Sequence, residues 1–332
     1  MYTTSEICLC KLKSPKILAV FAILLTVIVG LIIYLIVSSG KDIIIDLPSS
    51  TSTKPPPVLQ KSGLVAINEA GLFFKLEPES GKYELLSDKK FFNVTAFDIY
   101  RNETIFYGTS GIEPIRSIYK RYDNIGNLTK DWTKTALAID QRNGDLYVLD
   151  NTQYVIHVIN VNGSQMSRDI KILKTANEPL KDLKIDIQNN FIFVLSKKSV
   201  QMFHMNGTVL NKYSLRKSIG SMTVDSVNMV FFVTTNCGIF SQHYMDEIKR
   251  VNVLNHRNTV VRQIVFTRDE NWNEILYWIN DDHSTREKSF NKCQLVHSRC
   301  DEIRKIDSDD DIATSMFITK WHHFAYDAGI SF

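Results

Sequence analysis

The sequence predicts an all-β fold, a six-bladed β-propeller, preceded by a single transmembrane helix. Three observations predict it: an uncharged apolar stretch near the amino terminus, a strand–turn–strand unit that recurs every 39 to 52 residues, and the β-branched and aromatic residues that fill these units. The chain has 332 residues, of which 44% are hydrophobic and 23% charged, with a formal net charge of +3. This near-balance is typical of a globular protein and argues against a nucleic-acid partner, which requires a large basic excess.

The amino-terminal segment predicts a membrane anchor. Residues 17–37 carry no charge over 21 positions, and a helix of this length, rising about 1.5 Å per residue, spans the roughly 30 Å bilayer core. Residues 1–16 contain three lysines and one acid, which predicts a cytosolic tail and a type II signal-anchor. The alternative is secretion after signal cleavage, because Ser38-Ser39-Gly40 resembles a processing site. Both interpretations send the remaining chain into the secretory pathway or to the cell surface.

Residues 38–60 predict a stalk. They are rich in Ser and Thr and end in the proline run at positions 55–57, a composition that gives an extended, semi-rigid spacer. Residues 61–332 then form the propeller.

Five Asn-x-Ser/Thr sequons predict that the propeller is N-glycosylated. They lie at Asn93, Asn102, Asn127, Asn162 and Asn206. In the oxidising compartment that glycosylation implies, Cys293 and Cys300 are close enough in sequence to close a small hairpin by a disulfide. Cys237 is then the odd cysteine, for which a buried reduced thiol and an intermolecular disulfide both stay open.

The recurring unit is an apolar strand that ends in an acid, a turn of about seven residues, and a second strand that opens with aromatic or β-branched residues. Its marker positions are Asp98, Asp140, Asp186, Asp225, Thr267 and Thr319. Each unit predicts a small antiparallel sheet that buries its faces against its neighbours, so that the six sheets form a ring. Asn162-Gly163 and Asn206-Gly207 predict type I′ turns between the third and fourth strands of two units.

The ends of the chain predict how the ring closes. The sixth unit reaches the carboxyl terminus without its outer strands, whereas residues 64–87 read as two or three strands with no acid-bearing strand before them. Pairing the first strands with the last unit would complete the ring and remove exposed strand edges.

These residues resemble a known family. Residues 276–280, 146–150 and 324–327 look like degenerate YWTD motifs, and the strands that end at Asp140 and Asp225 look like those that precede the motif. The chain is therefore similar, over about residues 61–332, to the six-bladed YWTD propellers with low-density-lipoprotein-receptor class B repeats. The resemblance implies the fold and a mainly structural role for the motif residues. It does not imply lipoprotein uptake, because here the anchor precedes the propeller.

The functional expectation is a protein-binding or peptide-binding module without a cofactor. Trp272 and Trp321, with His322 and His323 beside the latter, form the predicted contact patch. Trp278 is also an aromatic of the last two units, but it fits the interior of a sheet better. Adjacent histidines on a strand point to opposite faces, so a shared metal ion is disfavoured, and the acidic run at positions 307–311 fits a solvated loop better than a calcium loop.

An enzyme is the alternative function. Some lactonase-like and strictosidine-synthase-like propellers are amino-terminally anchored, and their hydrolases hold calcium in the central channel with carboxylates and amides from several blades. No recurrent Glu, Asn and Asp set of that kind is evident at the starts of the inner strands. The residues therefore favour a binding module over a calcium-dependent hydrolase.

Overall fold

The computed structural model describes the propeller in segments that all lie within the unit Pro57–Phe332. The described residues are 63–68, 70–77, 82–101, 104–110, 113–118, 129, 132–163, 166–172, 178–215, 217–236, 238–245, 250–255, 259–269, 271–282, 288–306 and 317–321. None of them belongs to a helix that is long and apolar enough to span a membrane. The predicted tail, anchor and stalk lie outside the described residues.

The described strands form six sheets, which we number as blades along the chain. Blade 1 contains β4 (Val94–Tyr100), β5 (Thr104–Thr109) and β6 (Arg116–Ile118). Blade 2 contains β7 (Ala136–Ile139), β8 (Asp145–Asp150), β9 (Val155–Asn160) and β10 (Met166–Lys171). Blade 3 contains β11 (Leu180–Asp186), β12 (Phe191–Ser196), β13 (Ser199–His204) and β14 (Val209–Ser214).

The other three blades follow the same order. Blade 4 contains β15 (Ile219–Asp225), β16 (Val230–Thr235), β17 (Gly238–His243) and β18 (Arg250–Asn255). Blade 5 contains β19 (Thr259–Arg268), β20 (Glu274–Asp282), β21 (Lys288–Val296) and β22 (Arg299–Lys305). Blade 6 joins β23 (Phe317–Trp321) to β1 (Gly63–Ile67), β2 (Phe73–Leu76) and β3 (Tyr83–Leu85).

The first strands of the blades form the inner wall of a closed ring. In order around the ring, β4, β7, β11, β15, β19 and β23 each contact the next, and β23 contacts β4. Five marker positions lie on these inner strands, and Asp140 follows β7 directly. The predicted six-bladed propeller is confirmed, and so is the assignment of the repeat.

Blade 6 closes the ring with both ends of the chain, as predicted. β1 pairs antiparallel with β23, from Gly63 opposite Trp321 to Ile67 opposite Phe317. The amino-terminal segment supplies three strands of this blade, so β1, and not the YWTD-like residues 324–327, takes the second-strand position beside β23. Residues 324–327 themselves lie outside the described residues.

Apolar side chains fill the spaces between neighbouring sheets. Phe106 of blade 1 packs with Leu146 and Val148 of blade 2, and Phe193 of blade 3 packs with Phe231 of blade 4, all of them essentially inaccessible to water. Each sheet thus buries apolar area against both neighbours, which is the main stabilising contribution in a ring of this kind.

The turns define two faces of the ring. We call front the face with the turns between first and second strands and between third and fourth strands, and back the face with the remaining connections. Asn162-Gly163 and Asn206-Gly207 lie in third-to-fourth-strand turns on the front face, as predicted. They are not type I′ turns, because that type needs positive φ at both central residues, and both asparagines have negative φ. In the Asn206-Gly207 turn only Gly207 is left-handed, with φ +94. The backbone N–H of His204 donates to the carbonyl of Thr208, and the N–H of Gly207 donates to the carbonyl of His204.

Candidate functional site

Three of the marker acids, Asp98, Asp186 and Asp225, link neighbouring blades near the front face. Asp98 of blade 1 accepts a hydrogen bond of 2.9 Å from the backbone N–H of Ile139 in blade 2. Asp186 of blade 3 and Asp225 of blade 4 also accept bonds from the following blade, but from side chains of different chemistry. The two junctions that result differ in how open they are.

The junction between blades 3 and 4 is closed by an aromatic side chain. The hydroxyl of Tyr244, a fully buried residue, donates to Asp186 Oδ2 at 2.9 Å. Tyr213 donates to the carbonyl oxygen of Tyr244, and the rings of Phe193 and Phe231 pack against Tyr244. Burial, reinforced by the negative charge of Asp186, raises the pKa of Tyr244 well above its ordinary value. The hydroxyls of both tyrosines are hydrogen-bonded, so this junction is part of the packed core.

The junction between blades 4 and 5 is bridged by charged side chains. Arg268 Nη2 donates to Asp225 Oδ2 at 2.7 Å and to Glu274 Oε1 at 3.3 Å. Asn228 Nδ2 donates to the same Glu274 Oε1 at 2.5 Å. A cavity of about 510 Å³ opens beside these side chains on the front face. Its wall includes Asp225, Asn228, Trp272, Glu274 and Gln294.

Trp272 stands at the rim of this cavity with 60% of its surface exposed. It occupies the β19–β20 turn, where its backbone N–H donates to the backbone carbonyl of Asp269 and its φ is +63. The equivalent turns of blades 2 and 3 place Gly144 and Asn190 in the same left-handed region. A left-handed residue therefore recurs in this turn, and in blade 5 that residue is a tryptophan. Trp278, in contrast, is fully buried in blade 5 and is core.

The opposite rim of the cavity is the turn between β21 and β22. Val296 pairs with Arg299, so only His297 and Ser298 form the turn, with φ +51 and +63. Positive φ at both central residues makes this a type I′ turn without a glycine. The predicted disulfide is confirmed, since Cys293 and Cys300 are bonded across the same two strands.

The predicted site residues are distributed as follows. Asn162 and Asn206 are exposed on the front face, in blades 2 and 3, and Asn93 is exposed on the back face just before β4. Trp321 ends β23, at the front edge of blade 6. The remaining predicted residues, Asn102, Asn127, Cys237, His322, His323 and the acidic run at 307–311, lie outside the described residues.

The central channel is lined by the inner strands and encloses a cavity of about 180 Å³. Its wall carries Asp98 and Asp182 but also Lys181 and Lys184, and Lys184 pairs with Asp182 at 3.2 Å. Lys181 donates to the carbonyl of Ile219 at 2.6 Å, and burial followed by repulsion from a second lysine lowers its pKa. Among the described residues, no three His, Cys, Asp or Glu side chains come together as ligands for a metal ion.

A second cluster, in blade 2, was not predicted. His157 is buried, stacks on Trp132 with ring centroids 3.8 Å apart, and makes a 2.7 Å bond from Nδ1 to Asp169. Asp150, the acid of the YWTD-like strand, lies 3.8 Å from His157 Nε2 and accepts the backbone N–H of Thr152. The motif acid thus holds a turn of its own blade, in keeping with a structural role.

The comparisons with known proteins support the fold alone. No family model and no curated protein matches the sequence. Among solved structures, a chain from a crystal structure of a nidogen/laminin complex is similar, with a TM-score of 0.58 and 12% sequence identity over 78% of this chain and 98% of that chain. At this identity the similarity shows a shared architecture and says nothing of shared residues.

Proposed function

We propose that the protein is a type II membrane glycoprotein that binds another protein through the front face of blades 4 and 5 and needs no cofactor to do so. The observation that carries the proposal is a group of exposed apolar side chains on the front turns of these two blades. They are Val227, Met245, Trp272 and Val296, exposed by 52%, 59%, 60% and 41%. Exposed aromatic and aliphatic side chains on rigidly held loops are typical of protein-binding sites.

The sequons support the choice of sector. Asn162 and Asn206 are exposed on the front turns of blades 2 and 3, and Asn206 Oδ1 accepts the N–H of Thr208, the threonine of its own sequon, at 2.9 Å. A glycan at each position would cover that half of the front face, because N-glycans are large and hydrated. The described front turns of blades 4 and 5 contain no sequon, which leaves this half open to a protein.

Sequence supports the anchoring and the location. The uncharged stretch 17–37 is long enough to cross a membrane, and sequons are used only in the secretory pathway. A treatment with an endoglycosidase tests this part, since we expect the electrophoretic mobility of the protein from cells to increase. Unchanged mobility would contradict both the glycans and the proposed topology.

A glycan wedge tests the binding face. The single substitution Val296→Asn creates the sequon Asn-His-Ser on the open half of the front face. The matched control Lys197→Asn creates Asn-Lys-Ser in the β12–β13 turn, on the back face. Full-length wild type and both variants serve as baits for proximity labelling on living cells, and each labelled candidate is then tested for direct binding to the purified full chain.

We expect the front-face glycan to remove direct binding of the partner and the back-face glycan to leave it within about twofold of wild type. The proposal is wrong if partners bind the front-face variant as well as wild type, or if only the back-face glycan blocks them. Occupancy of each new sequon is checked by the increase in apparent mass.

A further inference from the structure

We infer that the cavity between blades 4 and 5 binds the guanidinium group of an arginine side chain that the partner protein presents. This inference rests on the proposed binding face and names the chemistry it recognises. Four observations carry it: the size of the cavity, its excess negative charge, its unused acceptor oxygens and the tryptophan at its rim.

The cavity is a recess of side-chain size within a flat face. Its volume of about 510 Å³ lies within the range of roughly 300 to 1,000 Å³ that is usual for ligand pockets. Three front turns enclose it, those of β15–β16, β19–β20 and β21–β22, so residues of both blades reach the same ligand. The disulfide between Cys293 and Cys300 holds the last of these turns.

The charges around the cavity favour a cation. Asp225 and Glu274 share one positive partner, since the same Nη2 atom of Arg268 reaches both carboxylates. One negative charge therefore lacks a counterion among these three groups. A cationic side chain brought by a partner would supply it in a recess that is partly shielded from solvent, where charge complementarity contributes more than on an open surface.

The acceptor oxygens of the cavity wall also favour a cationic donor. Both hydrogen bonds that Glu274 receives fall on Oε1, which leaves Oε2 without a donor among the described residues. Asn228 and Gln294 use their amide nitrogens, towards Asp225, Glu274 and Asn273, and their amide oxygens accept no bond there. A ligand rich in donors and free of acceptors matches this wall, and a guanidinium group has five N–H donors and no acceptor.

Trp272 selects the planar cation. Its exposed indole stands at the rim of the same cavity, and a guanidinium plane stacks on an indole while its edge donates to a carboxylate. A lysine ammonium would satisfy the charge but not the stacking, and a neutral sugar would stack but leave the excess charge unpaired.

The test uses a fluorine label on the tryptophans. The full chain is produced with 5-fluorotryptophan, and Trp272→Phe identifies the signal of Trp272 in the fluorine NMR spectrum. The probes are N-acetyl-arginine amide, its neutral isostere N-acetyl-citrulline amide, N-acetyl-lysine amide and N-acetylglucosamine. We expect saturable shifts of the Trp272 signal by the arginine probe, with a dissociation constant on the order of 1 mM, and at least about tenfold weaker binding of citrulline.

Two variants that each remove one negative charge distinguish binding in the cavity from binding elsewhere on the surface. Glu274→Gln keeps the shape of the side chain and is expected to weaken the arginine probe about tenfold. Its control, Glu302→Gln, removes an exposed carboxylate on β22 of the same blade and is expected to leave the binding unchanged. Thermal melting checks that both variants fold. If Glu274→Gln does not fold, Gln294→Ala is the second variant of the cavity wall.

Equal shifts by arginine and citrulline, or a response to the sugar alone, would overturn the inference, and so would wild-type affinity in both wall variants. These results are distinct from failure of the proposed function. If the Val296→Asn glycan blocks the partner and the arginine probe does not bind, the binding face stands and the arginine inference falls. If the probe binds and the glycan leaves the partner bound, the binding face is wrong.

Discussion

The junctions on the two sides of blade 4 start from the same repeat position and end as different structures. Asp186 and Asp225 both end an inner strand, and both are buried. Asp186 is met by the phenol of Tyr244, whose ring packs among phenylalanines, whereas Asp225 is met by the guanidinium of Arg268, which reaches onward to Glu274. The first junction is closed and the second opens into a cavity.

Blades 3, 4 and 5 share one strand order although their junctions differ, so the repeat can change a junction without changing the fold. The backbone turn, the acid and the inter-blade bond are retained in both junctions. The partner of the acid changes from the phenol of Tyr244 to the guanidinium of Arg268, so charge is gained at the junction beside which the cavity lies. A structural junction and the pocket that we propose for recognition are then separated by very few side chains.

The largest expected effect comes from removing the two acids. Asp186→Ala leaves the buried Tyr244 hydroxyl without an acceptor in a closed site, and we expect a loss of about 3 kcal/mol in the free energy of unfolding. Asp225→Ala leaves Arg268 paired with Glu274 beside a cavity that admits water, so the expected loss is about 1.5 kcal/mol. Chemical denaturation of the full chain measures both. Equal losses, or a larger loss for Asp225→Ala, would contradict the description of the Asp186 junction as closed and of the Asp225 junction as open.

The next effect concerns the phenol. Tyr244→Phe keeps the ring and removes the bond to Asp186, for an expected loss of about 2 kcal/mol at neutral pH. The pKa of Tyr244 is raised by folding, so its contribution is fully present below the unfolded value of about 10 and is lost as the pH rises above it. The stability difference between wild type and variant should therefore narrow above pH 10.

Denaturation curves between pH 7 and pH 11 test this expectation, with Tyr83→Phe as a control on an exposed strand. A difference that stays constant with pH would mean that the phenol does not carry the effect.

The repeat makes the fold predictable from the sequence, whereas the pocket is not predictable from it. Asp98, Asp186 and Asp225 recur with apolar neighbours, and such a pattern predicts blades directly. The sequence predicts Trp272 as part of a contact patch, and the structure places it at a cavity. Glu274 and His297 gave no signal, because each matters only through a neighbour that is distant in sequence, Asn228 or Trp272. The Asn-Gly pairs predicted type I′ turns, yet that turn occurs at His297-Ser298, where strand length and not residue type decides the loop.

The smallest effect is a reciprocal exchange at two third-to-fourth-strand turns, one from each half of the front face. Gly207→Ser places a side chain at φ +94, where the atoms nearest the added Cβ belong to Ile170, the first of them at an ordinary 3.5 Å. The expected loss of about 1 kcal/mol in the free energy of unfolding therefore reports the backbone conformation. Ser298→Gly removes a side chain at φ +63 and is expected to stabilise the chain by about 0.5 kcal/mol, since relief of the left-handed conformation exceeds the entropy cost of glycine.

The two exchanges differ in what they do to recognition. Gly207 lies beside the sequon at Asn206 in blade 3, outside the cavity wall, whereas Ser298 is part of that wall. A stabilising Ser298→Gly that also weakens the arginine probe would mean that the open junction accepts backbone strain in order to hold its wall in place. If the probe binds as before, the strain is tolerated by blade 5 and the wall owes its shape to the disulfide and the strand pairing.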